Sequence, residues 1–300
     1  RRIACTSLAQ YLAQQKGEPV GKSIGYSIKL ENRCDENTQI VFATPGVALR
    51  WLSETGLADF TTIIVDEFHE RRWDTDLLVA LLKQRQSHRV VLTSATIEGE
   101  KLAKYVGAER LYAEGRNFDV AIAHRATDSR QLPDSRNIEQ RIKQEVTALL
   151  DMEGDILVFL PGRKEIAQCQ SMLSALDRVV VAPLHASVSD TQRDVALNVQ
   201  TSKKVVLATN VAETSLTIPD IRVEVDAGRA RRARFDGNSG MSRLVTDRVT
   251  KAEATQREGR AGRVAAGVCY KLWSKGENGG MAPFPEPEIR STDLTGLVLE

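Results

Sequence analysis

One pattern recurs through these 300 residues: an apolar run of strand length ends in small polar residues, glycine or proline, and a helical pattern often follows. Such runs occupy residues 40–43, 62–65, 90–92, 156–160, 179–181 and 205–207. Helix-like segments are found at residues 7–15, 75–84, 138–150 and 163–176. Strands that alternate with helices predict βαβ units and a parallel sheet. The predicted fold class is therefore α/β.

A polar segment divides the chain. Residues 124–137 have no apolar period, and 300 residues suggest about two domains, so this segment predicts a domain boundary. We expect a first domain at residues 1–125 and a second at residues 126–288, whose exit is rich in proline and glycine. Residues 289–300 are expected to begin a further helical element.

The composition is that of an ordinary soluble globular protein, with 42% hydrophobic and 27% charged residues and a net charge of +1. The sequence contains no apolar run near the ~20 residues that span a bilayer and no signal peptide, so we expect a cytoplasmic protein without membrane association. The four cysteines are far apart and form no CxxC pair, which argues against a structural metal or a disulfide framework. The chain opens on Arg1 without a methionine, and we expect an upstream piece.

Two carboxylates follow the apolar run at residues 62–65. Asp66 and Glu67 would stand at the carboxyl end of a buried strand, where ligands bind in open α/β sheets. Burying them is costly without a cationic partner. This predicts a Mg²⁺–nucleotide site, with Asp66 holding the metal and Glu67 positioning a water for attack on a phosphoryl group. The alternative is an ordinary strand end with solvated acids. His69, three residues after Asp66, is either a structural histidine or a hydrogen-bonding partner across a domain interface.

A second candidate segment is rich in arginine. Residues 256–263 contain three arginines interleaved with Gly259 and Gly262. Guanidinium groups bind phosphate oxygens in a planar, bidentate way, and arginines from a second domain can stabilise the charge of phosphoryl transfer. The alternative is a solvated basic helix face, against which the glycines count because they weaken a surface helix. Residues 222–263 carry 11 basic and 6 acidic residues, a local excess that favours contact with an anion.

Other strand ends offer hydroxyl and backbone N–H groups. They suit contacts with a nucleic-acid backbone, although a plain turn is the better interpretation of each one alone. These segments are residues 44–46, 161–162 and 209–210. Ser94 and Thr96 add two hydroxyls that could relay between a nucleotide site and a bound strand, or could equally cap a helix.

Residues 17–23 look like a phosphate-binding P-loop but do not satisfy its requirements. The segment is one residue too short, contains Pro19 and precedes an alternating strand pattern, whereas a phosphate cradle needs a helix N-terminus there. We expect a turn between a helix and a strand.

Taken together and in this order, these segments resemble the motifs of the DEAH-box helicases of superfamily 2, and within them the bacterial HrpB type. The Asp-Glu-Phe-His-Glu-Arg run at residues 66–71 resembles motif II, and residues 256–263 resemble motif VI. The remaining matches are residues 1–4 (motif Ia), 44–46 (Ib), 94–96 (III), 156–166 (IV) and 208–219 (V).

The resemblance implies two tandem RecA-like domains that bind ATP or another NTP with Mg²⁺, lie across single-stranded RNA and move 3′ to 5′. The catalytic residues it implies are Asp66, Glu67, His69, Gln256, Arg260 and Arg263, with Asp66 and Glu67 at the metal. The nucleotide contacts it implies are Thr214, Ser215, Asp220 and Arg257. The nucleic-acid contacts it implies are Arg1, Arg2, Thr44, Pro45, Gly46, Gly162, Arg163, Thr209 and Asn210. Ser94 and Thr96 would couple the two sites.

The sequence departs from the family pattern in three places. Motif I, which in this family lies just upstream of Arg1, is absent, so these residues alone are expected to be inactive. Pro219 and Asp220 stand where motif V usually has an acidic residue and then glycine. Tyr11 stands where relatives often carry arginine. The same residues are also compatible with two other functions: a non-catalytic RNA-binding scaffold, and a DNA helicase or translocase on the same fold.

Overall fold

The computed structural model is a mixed α/β structure, which confirms the predicted fold class. It divides into two compact units: unit 1 comprises Arg1–Arg110 and Pro287–Arg290, and unit 2 comprises Leu111–Glu286 and Ser291–Glu300. The structure describes residues 2–95, 99–113, 115, 118–128, 136–177, 179–213 and 218–295. The predicted site residues Arg1, Thr96, Thr214 and Ser215 lie outside the described residues.

Within its described residues, unit 1 contains two small sheets. Strand β1 pairs in parallel with β3 and antiparallel with β2, while β4 pairs in parallel with β5. The elements are α1 (Arg2–Lys16), β1 (Ile24–Ile28), β2 (Glu31–Arg33), β3 (Ile40–Ala43), α2 (Pro45–Glu54), β4 (Thr62–Val65), α3 (Trp73–Arg85), β5 (Arg89–Leu92) and α4 (Gly99–Val106). The P-loop-like residues 17–23 form turns between α1 and β1, as expected.

Apolar packing fixes the end of β4. Val65 is buried against Phe68, Leu78 and Leu82. Phe68 follows the strand and Leu78 and Leu82 come from α3, so the core anchors both sides of the segment that contains Asp66 and Glu67.

In the described part of unit 2, six parallel strands form one sheet in the order β6-β13-β10-β7-β9-β8. Strands β11 and β12 pair as a separate antiparallel hairpin. The elements are β6 (Val120–Ala126), α5 (Ile138–Leu149), β7 (Asp155–Phe159), α6 (Arg163–Leu173), β8 (Val179–Leu184), α7 (Asp190–Leu197), β9 (Lys203–Ala208), β10 (Ile221–Asp226), β11 (Arg229–Asp236), β12 (Met241–Arg248), α8 (Lys251–Glu258), β13 (Gly267–Ser274) and α9 (Lys275–Gly279). Among the helices that the structure describes, none has both the length and the hydropathy needed to cross a membrane.

An unbroken apolar run forms β7, a central strand of this sheet. Ile156, Leu157 and Val158 on β7 are fully buried, although successive residues point to opposite faces. A parallel strand that is covered on both faces requires such a run. Because the strands are parallel, the residues that follow β7, β8, β9 and β10 lie at one edge of the sheet.

The unit boundary differs from the predicted one. We expected the first domain to end at residue 125, but β6 pairs with β13 from Val120↔Gly267 to His124↔Lys271 and so belongs to unit 2. Strand β6 is a half-exposed edge strand, and its short apolar run at residues 120–123 lies directly before the polar segment at residues 124–137, which predicts the boundary. Pro287–Arg290 belongs to unit 1, and Glu288–Arg290 forms a 3-10 helix there.

Two acidic residues are fully buried on β10. Glu224 lies beside Cys269 in the register of β10 and β13, and the Cys269 thiol donates to Glu224 Oε1 at 3.4 Å. Burial raises the pKa of Glu224 well above its ordinary value, and the nearby charge of Asp226 adds to this rise. Glu224 therefore keeps its proton at pH values at which exposed glutamates have lost theirs.

This burial predicts a stability that falls with pH. Below pH 4.5, the ordinary glutamate value, folded and unfolded chains both keep the Glu224 proton. At higher pH only the unfolded chain releases it, so the free energy of unfolding falls by up to about 1.4 kcal/mol per pH unit. Glu224→Gln should remove this fall.

The measurement is denaturant unfolding of the parent protein and Glu224→Gln between about pH 5 and pH 8. We expect the stability advantage of the variant to grow as the pH rises. Glu153→Gln, which changes an exposed glutamate of the same unit, is the matched control. An equal pH dependence in parent and Glu224→Gln would contradict the buried, protonated state of Glu224.

Candidate functional site

In unit 1, the ends of β4 and β5 hold the predicted carboxylates. We call residues 66–71 the acidic turn. The Thr93 hydroxyl donates to Asp66 Oδ1, and the Thr93 N–H donates to the Val65 carbonyl oxygen at 3.0 Å. The Phe68 N–H in turn donates to the Thr93 carbonyl oxygen at 3.0 Å. Three hydrogen bonds to one residue beyond β5 thus fix the beginning of the acidic turn, with Asp66 exposed to solvent.

The backbone of the acidic turn is strained at two positions. Glu67 has φ 53° and ψ 38°, and Arg71 has φ 48° and ψ 43°, so both adopt the left-handed conformation that side chains disfavour. They flank the 3-10 helix Phe68–Glu70. Such conformations persist only where the surroundings impose them, and they cluster at active sites and ligand clamps.

His69 connects Glu67 with the segment after β5. The ring is buried, its Nδ1 accepts a hydrogen bond from the Ala95 N–H at 3.2 Å, and its Nε2 lies 3.3 Å from Glu67 Oε2. With Nδ1 as the acceptor, a neutral ring carries its proton on Nε2, facing the carboxylate. His69 therefore bonds inside unit 1, next to the predicted coupling residue Ser94.

The donor set at this turn suits a hard cation. Asp66, Glu67 and Thr93 offer only oxygen atoms, and Mg²⁺ characteristically takes one or two carboxylates and keeps several waters or phosphate oxygens. Across the described ranges, no group of three or more His, Cys, Asp or Glu side chains could enclose a metal ion. The acidic turn therefore fits an open Mg²⁺ site and not a closed one.

In unit 2, the arginine segment begins in the last turn of α8. A capping box starts this helix: the Thr250 hydroxyl accepts from the Glu253 N–H, and the Glu253 carboxylate accepts from the Thr250 N–H at 2.7 Å. Close packing explains why residue 262 is a glycine, because a Cβ there would lie 2.5 Å from the Phe118 carbonyl oxygen. Packing therefore explains the glycine at this position, and Gly262 is not evidence for a functional role.

Arg257 is fully buried in unit 2. Its Nε donates to Glu213 Oε1 at 2.6 Å, its Nη1 donates to Asp226 Oδ1 at 2.8 Å, and its Cζ lies 4.8 Å from the centre of the Phe159 ring. Burial alone would lower the pKa of Arg257, but Asp226 and Glu213 more than offset it and hold the pKa above its ordinary value. This burial is at odds with the predicted contact between Arg257 and the nucleotide. The side chain instead anchors the arginine segment.

The other members of the segment differ in exposure. Arg260 is buried, and its Nη2 donates to the Glu213 carbonyl oxygen. Gln256 is half-buried, and Arg263 is exposed. Glu213 thus holds two arginines, one through its carboxylate and one through its backbone. Sequence reasoning missed it, although it lies within the segment that resembles motif V.

Asp220 lies at the wrong edge of the sheet for its predicted role. It precedes β10, and its carbonyl oxygen accepts a hydrogen bond at 2.7 Å from the N–H of Asp155, the first residue of β7. Both are amino ends of parallel strands, whereas Thr209 and Asn210 follow the carboxyl end of β9. This position is at odds with a nucleotide contact by Asp220.

The predicted nucleic-acid contacts in unit 1 gather where β3 leads into α2. Thr44 is the N-cap of α2 in an extended conformation, and Pro45 is its first residue, where a fixed φ favours the helix start. A Cβ on Gly46 would meet open space. Exposed N–H groups at a helix N-terminus favour an anion. Arg2 lies apart from these residues in sequence, exposed at the start of α1.

In unit 2 the predicted contacts share the carboxyl edge of the sheet. Arg163 is exposed at the start of α6, and its guanidinium lies 3.5 Å from the Ser187 hydroxyl. The Thr209 N–H donates to the Leu184 carbonyl oxygen at 3.2 Å, which brings the ends of β8 and β9 together. Asn210 begins a short 3-10 helix.

An arginine of the β11–β12 hairpin covers Gly162. A Cβ on Gly162 would lie 2.8 Å from Arg231 Nη1, and Arg231 Nη2 donates to the buried Glu165 Oε1 at 2.9 Å. Gly162 is buried as a result, so any phosphate at this loop would meet Arg163 and Arg231 first. Sequence reasoning counted Arg231 only as part of the local positive charge.

Two family models match most of the chain between them. "DEAD/DEAH box helicase" matches residues 7–105, and "Helicase conserved C-terminal domain" matches residues 138–265. The first covers the acidic turn, and the second covers the arginine segment.

Named relatives match over the whole chain. It is 36% identical to "Probable ATP-dependent RNA helicase DHX34" from Mus musculus and 36% identical to "ATP-dependent RNA helicase HrpB" from Escherichia coli (strain K12), and it spans 28% and 38% of their lengths. Two solved structures also match over 100% of the chain. They are "Crystal structure of E. coli DExH-box NTPase HrpB", with a TM-score of 0.86 at 36% identity and 38% of that chain covered, and "Crystal structure of Escherichia coli DEAH/RHA helicase HrpB", with a TM-score of 0.90 at 35% identity and 39% covered. The predicted resemblance to the HrpB type is confirmed, and the chain belongs to the DEAD/DEAH-box helicase family.

Proposed function

We propose that this chain is the motor core of an ATP-dependent RNA helicase of the cytoplasm. Nucleic acid stimulates its hydrolysis of ATP or another NTP with Mg²⁺, and hydrolysis drives 3′-to-5′ movement along single-stranded RNA. The observation that carries the proposal is the strained acidic turn, in which Thr93 hydrogen-bonds to Asp66 and His69 Nε2 lies 3.3 Å from Glu67 Oε2.

Each carboxylate of the turn has a separate role in hydrolysis. Asp66 holds Mg²⁺, which when bound neutralises charge on the nucleotide phosphates. Glu67 orients the attacking water and accepts its proton. His69 keeps the Glu67 carboxylate in place and links it to Ala95, so a change at residues 94–95 is transmitted to the water-binding group.

The arginine segment of unit 2 supplies positive charge to the transferred phosphoryl group. We assign this role to Arg260 and Arg263, with Gln256 as a hydrogen-bonding partner. The exposure of Arg263 supports this assignment. The bonds from Arg257 to Glu213 and Asp226 also support it, because they anchor the segment. Arginines in this role stabilise charge that develops only in the transition state.

RNA is bound through its phosphates, without sequence readout. The N-terminus of α2 and the carboxyl edge of the unit 2 sheet offer backbone N–H groups, hydroxyls and Arg163, which are groups that position a nucleic-acid backbone. Nucleotide binding and hydrolysis would shift the population between states that hold RNA differently.

Glu67→Gln tests the carboxylate that activates water. In the full-length protein, we expect ATP turnover to fall by about 100-fold or more, because the amide cannot accept the proton. Nucleotide affinity should change little, because Asp66 remains. Steady-state hydrolysis and equilibrium binding of a fluorescent nucleotide measure the two quantities.

Glu100→Gln, an exposed change on α4, is the control for this pair of measurements. Near-parental turnover in Glu67→Gln would refute the role of Glu67.

Arg263→Ala tests the charge supplied by unit 2. We expect turnover to fall by about 100-fold or more, since arginines that stabilise phosphoryl transfer contribute at least that much. RNA affinity should stay close to that of the parent. Arg33→Ala removes an exposed arginine from β2 as a control. Loss of RNA binding with normal turnover would show that Arg263 contacts RNA instead.

Arg163→Ala tests the phosphate contact at the carboxyl edge. We expect binding to every single-stranded RNA sequence to weaken by a similar factor. The slope of log affinity against log salt concentration should fall in magnitude by about one, as for the loss of one phosphate contact. Fluorescence anisotropy at several salt concentrations measures both. Lys275→Ala on α9 is a matched basic control. A loss confined to some RNA sequences, or none at all, would contradict this contact.

A further inference from the structure

Four residues from far along the chain join unit 1 beside the acidic turn. We call Pro287–Arg290 the clasp. They belong to unit 1, although the residues before and after them belong to unit 2. A hydrogen bond from the Arg290 N–H to the Pro287 carbonyl oxygen, at 3.0 Å, closes the clasp into one helical turn.

Glu288 bonds to the chain on both sides of Arg72. Its N–H donates to the Arg71 carbonyl oxygen at 2.9 Å, and its Oε2 accepts a hydrogen bond from the Trp73 N–H at 3.1 Å. The second bond joins residues 215 positions apart in sequence. The two bonds together fix both the backbone and the side chain of Glu288 against the start of α3.

Helix α3 begins without a cap of its own. Its N-cap residue is Arg72, whose guanidinium can only donate and therefore cannot accept a hydrogen bond from a backbone N–H of the helix. Asp74 Oδ1 accepts from the Thr75 N–H at 2.9 Å, which leaves the Trp73 N–H for another acceptor. Glu288 supplies a carboxylate where N–H groups and the helix dipole favour a negative charge.

Charges around Arg72 support the same arrangement. Arg72 bonds to both oxygens of Asp74, at 3.1 and 3.0 Å. These hydrogen bonds are the main cause that raises the pKa of Arg72, and Glu288 and Glu70 add to the rise. The guanidinium of Arg72 at the start of α3 is therefore surrounded by several carboxylates, of which Glu288 comes from the clasp.

The clasp acts on the end of the acidic turn that β5 does not reach. Bonds to Thr93 and Ala95 hold the beginning of the turn. At its end, the strained Arg71 bonds through its side chain to both oxygens of Asp76, and through its carbonyl oxygen to Glu288. A turn with a left-handed residue at each end needs restraint at both.

We propose that Glu288 is a positioning residue for hydrolysis: by capping α3 and bonding to Arg71, it holds the acidic turn in the conformation that presents Glu67. This inference rests on the proposed function. It requires no contact between Glu288 and the nucleotide or the RNA.

The test compares Glu288→Ala, Glu288→Gln and the parent in the full-length protein by two measurements. The first is hydrogen exchange of the backbone amides at residues 67–73. We expect Glu288→Ala to accelerate exchange there by about 5-fold, the factor for losing a helix cap, and Glu288→Gln to restore most of the protection because it keeps an oxygen acceptor. Glu286→Ala, an exposed glutamate two positions earlier, is the control.

The second measurement is steady-state ATP hydrolysis. We expect Glu288→Ala to lower kcat by about 5-fold with KM for ATP unchanged, and Glu288→Gln to recover most of the rate, in proportion to the exchange data. Faster exchange with an unchanged kcat would show a purely structural cap and overturn the positioning role. Unchanged exchange would overturn the cap itself. A parent protein without any hydrolysis would refute the proposed function, while the exchange measurement would still decide whether Glu288 holds the turn.

Discussion

The parallel pairing of β4 with β5 is the interaction on which the acidic turn depends. The register joins Val65 to Leu92, so the residue after each strand lies beside its counterpart, and Thr93 can bond to Asp66 and to the backbone on either side of it. This pairing holds Glu67 in a left-handed conformation that its side chain disfavours. Without the bonds from β5, an exposed acidic segment would relax to ordinary backbone angles. The pairing therefore turns two adjacent carboxylates into a group of defined geometry.

In unit 2 the corresponding constraint is the cost of burying charge. Arg257 is acceptable in the core because Asp226 and Glu213 neutralise it and accept hydrogen bonds from its Nη1 and Nε. Removing one partner of such a buried group costs about 3–5 kcal/mol, whereas an exposed pair contributes little. The segment that follows Arg257 is thus attached to β10 and to the residues after β9 at a fixed place. A basic run that looks uniform in sequence consists of two buried arginines, Arg257 and Arg260, which both bond to Glu213, and the exposed Arg263.

Local patterns in the sequence predict much of this structure, and long-range contacts do not follow from them. Apolar runs identify the central strands such as β7, because a strand buried on both faces has few alternatives. The edge strand β6 has a short apolar run too, but its assignment to unit 2 depends on its pairing with β13, far along the chain. Asp66 and Glu67 can be predicted as site residues because they come directly after an apolar strand. The burial of Arg257 and the position of Asp220 depend instead on the strand register. Glu288 meets Trp73 across 215 positions, and no local pattern signals that pairing.

We propose that the acidic turn serves hydrolysis of a nucleotide in response to RNA. The most direct test is ATP turnover by the purified full-length protein with Mg²⁺, measured without nucleic acid, with single-stranded RNA and with DNA of the same sequence. We predict turnover that depends on Mg²⁺ and rises on addition of RNA, and rises less with DNA. No hydrolysis under any of these conditions, or hydrolysis at a rate that RNA leaves unchanged, would contradict the claim.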